Sequence, residues 1–293
     1  MTQIAPRTAL LALALPLALA GRAPESKPAA GPQEGGDAQA ALTALLEEGG
    51  VRLDHERGTV SIAARALVRY DLLEYLLVAP GGAAHESLFV TDIQPSLLNA
   101  GLLAIGAQVG TNASWERIDP PPTLEERRAG KRPYRVFPPE GPEGQGLLLY
   151  VAWREGDETF FFRVEDLVAN LETGRSMRRH PWVYLGSTFL EDDDGQEVFA
   201  ADVEGNLINI SFFREGHTLM TPALPECEDQ SIWMPNAWLV PPRDAGVELI
   251  FSSTPLTSLP DEWRDRLPVV DPAALEQQGE PDDSEGAERE QRR

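Results

Sequence analysis

Short glycine-containing turns between apolar runs constrain the fold of this chain more than any other feature. The runs "GLLLYVAW" and "ETFFFRV" flank Glu155-Gly156-Asp157, and "VRLDHERGTVSIAARAL" bends at Glu56-Arg57-Gly58. β-Forming residues on both sides of such a turn are typical of a β-hairpin. The segment "WVYLGSTFLEDDDGQEVFAADVEGNLINISFF" predicts three more strands, with turns at Asp194-Gly195 and Glu204-Gly205-Asn206. "LLEYLLVAP", which Pro80-Gly81-Gly82 ends, and "GVELIFSS" predict two further strands.

Helical periodicity is confined to three segments. Asp37 can cap a helix in "DAQAALTALLEEGG", which Gly49 and Gly50 would end. In "QPSLLNAGLLAIGAQVG", Leu98 and Leu102 belong to one apolar stripe with Ile105, which predicts a buried helix. "VEDLVANLETG" predicts a short helix. We therefore predict an α+β fold of largely antiparallel β-hairpins, with one buried apolar helix and two shorter helices.

Composition divides the chain into four parts. Residues 1–20 carry one basic residue, the apolar run "TALLALALPLALA" and the small-residue pattern Ala18-Leu19-Ala20, which is typical of a secretory signal peptide. Residues 21–36 are rich in Pro, Gly and Ala and predict a flexible linker, and residues 268–293 predict a disordered acidic tail. Residues 37–267 remain as a single domain. Inside it, the proline-rich stretch "WERIDPPPTLEERRAGKRPYRVFPPEGPEGQ" predicts a loop without long regular elements.

The leader also bears on localisation. "LALAG" would precede the acylated cysteine of a bacterial lipoprotein, but the next residue is Arg22. No lipid can be attached without a thiol, and no second long apolar run follows. We expect an exported protein without a transmembrane anchor, in the periplasm.

Net charge limits the partners. The chain carries 25 basic and 47 acidic residues, a formal net charge of −22. Such a surface repels phosphate backbones and anionic lipids, so we expect no nucleic-acid partner. An envelope protein or a small-molecule ligand remains as a partner, and the sequence identifies no cofactor. Cys227 is the single cysteine, so no intrachain disulfide can form, and the neighbouring Glu226 and Glu228 oppose thiolate formation.

The segment "VAPGGAAHESLFVTDI" is the candidate functional site. Glycines beside polar side chains let a backbone approach a ligand closely. β-Forming residues follow His85, so we expect an extended backbone there, with the side chains of His85 and Glu86 on opposite faces. The alternative is structural, with both side chains bonded to neighbouring backbone. The candidate ligand-binding residues are Gly81, Gly82, His85, Glu86 and Ser87, with Trp182 and Tyr184 as neighbours.

Sequence patterns for established metal and catalytic sites are incomplete. A zinc-protease motif needs a histidine four residues after His85, where this chain has Phe89. An EF-hand loop with Gly195 at its sixth position would begin at Leu190 and end at Ala201, so "EDDDGQE" predicts a hairpin turn instead. We predict no catalytic residue and no metal ligand. Asn209-Ile210-Ser211 matches a glycosylation triplet, a pattern short enough to arise by chance.

Four blocks carry a resemblance to a known family: "GGAAHESLFV" (residues 81–90), "NAGLLAIGAQVGT" (99–111), "WVYLGSTF" (182–189) and "ADVEGNLINISFF" (201–213). In order and spacing, across about residues 50–252, the chain resembles bacterial secreted proteins named for the YdjY domain. Members often carry a histidine at the position of Asn99. The resemblance implies the fold and export rather than an activity.

Three functions are compatible with these observations. The first is a non-enzymatic module of the cell envelope that binds a ligand or partner. The second is a metal-dependent hydrolase centred on His85 and Glu86, with His180 or His217 brought in by folding. The third is an envelope scaffold that docks through its acidic tail.

Overall fold

A computed structural model describes residues 33–67, 70–192 and 194–271 of the chain. The predicted signal peptide, most of the predicted linker and residues 272–293 of the predicted tail lie outside these ranges. No helix within the described ranges is long and apolar enough to cross a membrane.

Four α-helices lie within the described ranges: α1 (Gln33–Glu48), α2 (Pro95–Ala104), α3 (Leu124–Arg128) and α4 (Ala200–Glu204). The apolar helix α2 is confirmed, and it buries Leu98 and Leu102. Helix α1 begins four residues before Asp37 and has 16 residues against 10 in α2, so the predictions that Asp37 caps it and that it is shorter than the apolar helix are wrong. Gly49 and Gly50 follow its last residue, as predicted.

The strands, in chain order, are β1 (Val51–Asp54), β2 (Thr59–Ala66), β3 (Tyr75–Val78), β4 (Ser87–Val90), β5 (Ser114–Arg117), β6 (Tyr134–Phe137), β7 (Leu148–Glu155), β8 (Glu158–Arg163), β9 (Val168–Asn170), β10 (Arg175–Ser176), β11 (Val183–Tyr184), β12 (Phe189–Glu191), β13 (Glu197–Phe199), β14 (Asn206–Asn209), β15 (Met220–Thr221), β16 (Trp233–Pro235), β17 (Gly246–Ser252) and β18 (Val269–Val270).

One sheet of eleven strands forms the centre of the fold. Its strand order is β11-β15-β14-β3-β4-β2-β17-β7-β18, with β1 also paired to β2 and β8 to β7. The sheet is mixed, because β3 pairs in parallel with β4, β14 with β15, and β18 with β7. The smaller sheets β10-β9-β16, β12-β13 and β5-β6 are antiparallel. The fold thus combines the predicted hairpins with parallel pairs that were not predicted.

The predicted hairpins β1-β2, β7-β8 and β12-β13 are confirmed in antiparallel register. In the last of these, the Asp192 carboxylate accepts hydrogen bonds from the backbone N–H groups of Asp194 and Gln196, at 3.0 and 2.8 Å. These bonds give the aspartate-rich segment a turn function rather than that of an EF-hand loop.

Two local predictions were wrong. "VEDLVANLETG" forms a 3₁₀ turn over Val164–Leu167 and then strand β9, which pairs with β10 and β16. Gly205, expected in a turn between strands, instead ends helix α4 in the left-handed conformation. The proline-rich stretch contains only short elements, as predicted: the two-stranded sheet β5-β6 and the five-residue helix α3, whose Thr123 and Glu126 form a capping box.

The main core lies where helices α1 and α2 and the loops pack on the large sheet. Its largest fully buried side chains include Trp153, Trp182 and Phe89. Strand β3, which is entirely buried, lies between β14 and β4. This position places Tyr75 opposite Asn209 on one side and Ser87 on the other.

Candidate functional site

The backbone at His85 is helical rather than extended. Ala84–Glu86 forms one turn of 3₁₀ helix, and the extended backbone resumes at Ser87. The expectation that the side chains of His85 and Glu86 point to opposite faces is therefore wrong. His85 Nε2 lies 3.8 Å from Glu86 Oε2, and the His85 side chain is 81% exposed.

The two glycines before this turn have different surroundings. Gly81 has a φ of +99°, and a Cβ there would meet no atom within 4 Å. A Cβ on Gly82 would lie 2.5 Å from the carbonyl oxygen of Gly205. Asn206 Oδ1 accepts a hydrogen bond from the backbone N–H of Ala83 at 3.0 Å. Gly82 thus serves close packing of the turn against Gly205, and this contact and the bond to Asn206 hold the turn.

The other candidate residues are buried. Ser87 is inaccessible to solvent, and its hydroxyl donates to the carbonyl of Phe89 at 2.9 Å. Tyr184 donates its hydroxyl to Asn99 Oδ1 on α2 at 2.5 Å, and burial raises its pKa to about 12. Trp182 is also fully buried. That these residues bind a ligand with His85 stays a prediction.

Trp182 belongs to a buried charged cluster. Glu165 is inaccessible to solvent and accepts hydrogen bonds from the Arg163 guanidinium, the Trp182 indole N–H and the His180 backbone N–H. Burial lowers the pKa of His180, whose Nδ1 lies 2.9 Å from the Arg178 carbonyl oxygen. His180 is thus held in a structural cluster.

A cleft of about 220 Å³ is lined in part by Glu204 and Asn206, the residues on either side of Gly205 in sequence. Strand β3, helix α4, strand β14 and the loop that follows it form the walls. The lining residues are Tyr75, Glu204, Asn206, Asn209, Phe213, Glu215, Gly216, His217 and Thr218. Asn206 connects this cleft to the candidate turn, because it lines the cleft and binds the backbone of Ala83.

Asn209 contributes an unpaired hydrogen-bonding group to the cleft. The residue is 1% exposed, and its side-chain oxygen has no hydrogen-bond partner. Leaving a buried polar atom unpaired costs about 1–3 kcal/mol. The oxygen itself is inaccessible to solvent, so a donor bound in the cleft could satisfy it once the Asn209 side chain turns toward the cavity that the residue lines. Burial also argues against glycosylation of Asn209.

An aromatic pair forms another wall. The rings of Tyr75 and Phe213 stack with centroids 5.0 Å apart and planes within 5° of each other. Burial raises the pKa of Tyr75, and the carboxylates of Glu74, Glu86, Glu204 and Glu215 act in the same direction. Burial, and then the charge of Glu86, also raise the pKa of Glu74. The cleft and the turn at His85 therefore share one negative electrostatic environment.

His217 is held at the cleft by Glu204. Its Nδ1 lies 2.5 Å from Glu204 Oε1, a pairing that orients the imidazole. His85 and His180 each face a different carboxylate. Within the described ranges, no group of three or more His, Cys, Asp or Glu side chains is arranged to hold a metal ion. The folding-assembled histidine set that the hydrolase hypothesis requires is not formed there.

Sequence reasoning missed the main parts of this cleft. Tyr75 lay within a predicted strand and Asn209 within a glycosylation triplet, whereas the hydrolase hypothesis had already named His217. These residues come from segments with no motif between them, so their spacing in the sequence gave no signal. The resemblance block at residues 201–213 contained both Asn206 and Asn209.

Comparison with known proteins gives one match. A family model described as the YdjY domain matches residues 51–208. No curated protein and no solved structure matches the chain. The matched residues include Tyr75, the turn at His85, Glu204 and Asn206.

Proposed function

The chain belongs to the YdjY domain family, and from that premise we propose that it is a non-enzymatic module of the cell envelope that binds a small ligand in the cleft beside Tyr75. The unpaired oxygen of Asn209 carries this proposal. A buried acceptor without a partner is costly in a closed core, whereas in a ligand site it becomes paired on binding.

The surroundings of Asn209 support binding rather than a purely structural void. Small-molecule sites combine apolar or aromatic walls with a few polar groups that fix orientation. Here the Tyr75–Phe213 stack supplies the aromatic wall, and His217 is fixed by Glu204. The backbone N–H of Ala79, directly after β3, donates to the carbonyl oxygen of Gly205, directly before β14, and joins these two walls at one end. A largely preformed site of this kind loses little conformational freedom when it binds.

Blocking the mouth of the cleft tests this proposal. Glu215 is exposed, so Glu215→Trp should fill the opening without disturbing the core. The matched control is Glu158→Trp, at an exposed position on β8 near the opposite end of the large sheet. In a ligand-observed NMR screen of a fragment library against the full chain, we expect hits that Glu215→Trp loses and Glu158→Trp keeps. A library in which no fragment distinguishes the two variants contradicts binding in the cleft.

Export is the second part of the proposal, and it is supported by the leader sequence. If residues 1–20 are a signal peptide, the mature chain begins at Gly21 and lies outside the cytoplasm. Replacing both Ala18 and Ala20 with arginine should block cleavage, whereas Ala23→Arg should permit it. Cell fractionation shows the compartment of each variant, and mass spectrometry of its N-terminus shows whether residues 1–20 have been removed. An uncleaved wild-type chain in the cytoplasm would refute export.

A further inference from the structure

Resting on the proposed function, we propose that the ligand of this cleft is a small organic ammonium ion that also carries an N–H or O–H donor. Three independent properties of the cleft lead to this class: its charge, its aromatic wall and its unpaired acceptor.

The cleft is lined by more carboxylates than basic side chains. Glu204 and Glu215 line it, none of its described lining residues is Lys or Arg, and His217, its one lining histidine, is paired with Glu204. Glu74 and Glu86 lie close enough to act on Tyr75. The nearest basic residue in sequence, Arg214, places its guanidinium 4.3 Å from the centre of the Trp115 ring. A cation that enters the cleft therefore meets the carboxylate of Glu215, with no Lys or Arg among the described lining residues to compete for it.

The aromatic wall favours an organic cation. The faces of aromatic rings attract ammonium groups, and the attraction increases when water is excluded. Tyr75 is buried on one side by Phe213, which keeps its ring in a fixed orientation at the cleft. An alkylammonium ion can contact this ring with its carbon atoms and the carboxylates with its charge. A metal ion would instead require several oxygen ligands at close range.

The unpaired acceptor adds the requirement for a donor. Asn209 is opposite Tyr75 in the β14-β3 pairing, so the two side chains are neighbours on the sheet. A hydroxyl or N–H group on the ligand can pair with Asn209 Oδ1 while the ammonium contacts Tyr75. The volume of about 220 Å³ limits the ligand to a few carbon atoms around these two groups.

Choline and its neutral isostere 3,3-dimethylbutan-1-ol test the inference, because they share shape and hydroxyl group and differ in charge. In calorimetric titration of the full chain, we expect choline to bind at least tenfold more tightly than the isostere. Glu215→Lys should weaken choline binding roughly tenfold or more and leave the isostere unchanged. The matched control Glu158→Lys makes the same change in net charge at a distant exposed site and should change choline affinity by less than twofold.

Several results would overturn the inference. Equal or tighter binding of the isostere would indicate that the ligand is neutral. If choline did not bind at millimolar concentration, the ligand would not be an organic cation of this kind. Displacement of choline from the cleft by calcium ions would indicate that the cleft binds a metal ion instead. In each of these cases, fragment hits that Glu215→Trp abolishes would still support the proposed function. If Glu215→Trp abolished no fragment hits either, both the ammonium inference and the proposed function would be contradicted.

Discussion

Replacement of Glu165 by alanine is expected to lower the free energy of unfolding by about 3–5 kcal/mol, the usual cost of removing one partner of a buried ion pair. Glu165 is fully buried and accepts bonds from Arg163 and Trp182. Without its carboxylate, the mostly buried guanidinium of Arg163 loses its counter-charge, and the indole N–H of Trp182 loses its acceptor. Guanidinium denaturation with an unchanged m-value would measure the loss.

Two further variants separate the cost of an unpaired buried charge from the ordinary cost of removing a glutamate side chain. The double replacement of Arg163 by Met and Glu165 by Leu removes both charges and should recover the part of the lost stability that comes from the unpaired charge, while the indole N–H of Trp182 still lacks its acceptor. Glu262→Ala breaks an exposed glutamate–arginine pair, in which the Glu262 side chain is 58% exposed and 2.6 Å from Arg57, and should cost less than about 1 kcal/mol. A Glu165→Ala variant no less stable than Glu262→Ala would show that the buried cluster is not stabilising.

Phe89→Ala is the second substitution with a large expected effect, about 3–5 kcal/mol. Phe89 lies on β4, is fully buried, and is aligned with Leu77 on β3 and Ala66 on β2. Its truncation would leave a cavity in the middle of the large sheet. We expect Phe89→Leu, which retains most of the volume, to cost less than about 1.5 kcal/mol. The same denaturation experiment compares them, and similar midpoints for both variants would contradict this role of Phe89.

Local sequence signals predicted the elements whose structure depends on neighbouring residues. The β1-β2 and β7-β8 hairpins follow from apolar runs around a glycine turn, and helix α2 follows from its apolar stripe. The parallel pairs could not be read in this way. β18-β7 joins segments distant in sequence, such as Val269 and Arg154, and β3-β4 and β14-β15 are connected by crossovers, which lack the local signature of a hairpin turn. Val168–Asn170 was misassigned because a short apolar run fits a strand or a helix equally well, and its partner β16 decides between them.

The candidate site was predictable only in part. The sequence directed attention to the turn at His85, which does lie beside the cleft through the contact between Gly82 and Gly205. The helical turn at His85 was missed because it spans three residues directly before a β-forming run. The cleft itself depends on register: Tyr75 meets Asn209 only because β14 pairs with β3. Such a pairing between residues more than a hundred positions apart leaves no local pattern.

The burial of Cys227 has a practical consequence. Burial, and then the charge of Glu226, raise the pKa of its thiol well above the ordinary value, and the residue is inaccessible to solvent. Thiol-directed dyes should therefore leave the native protein unlabelled. A cysteine introduced at an exposed position such as Arg214, next in sequence to the cleft residue Glu215, would carry a fluorophore alone, without removal of the natural thiol. Occupancy of the cleft could then be followed optically in an otherwise unaltered chain.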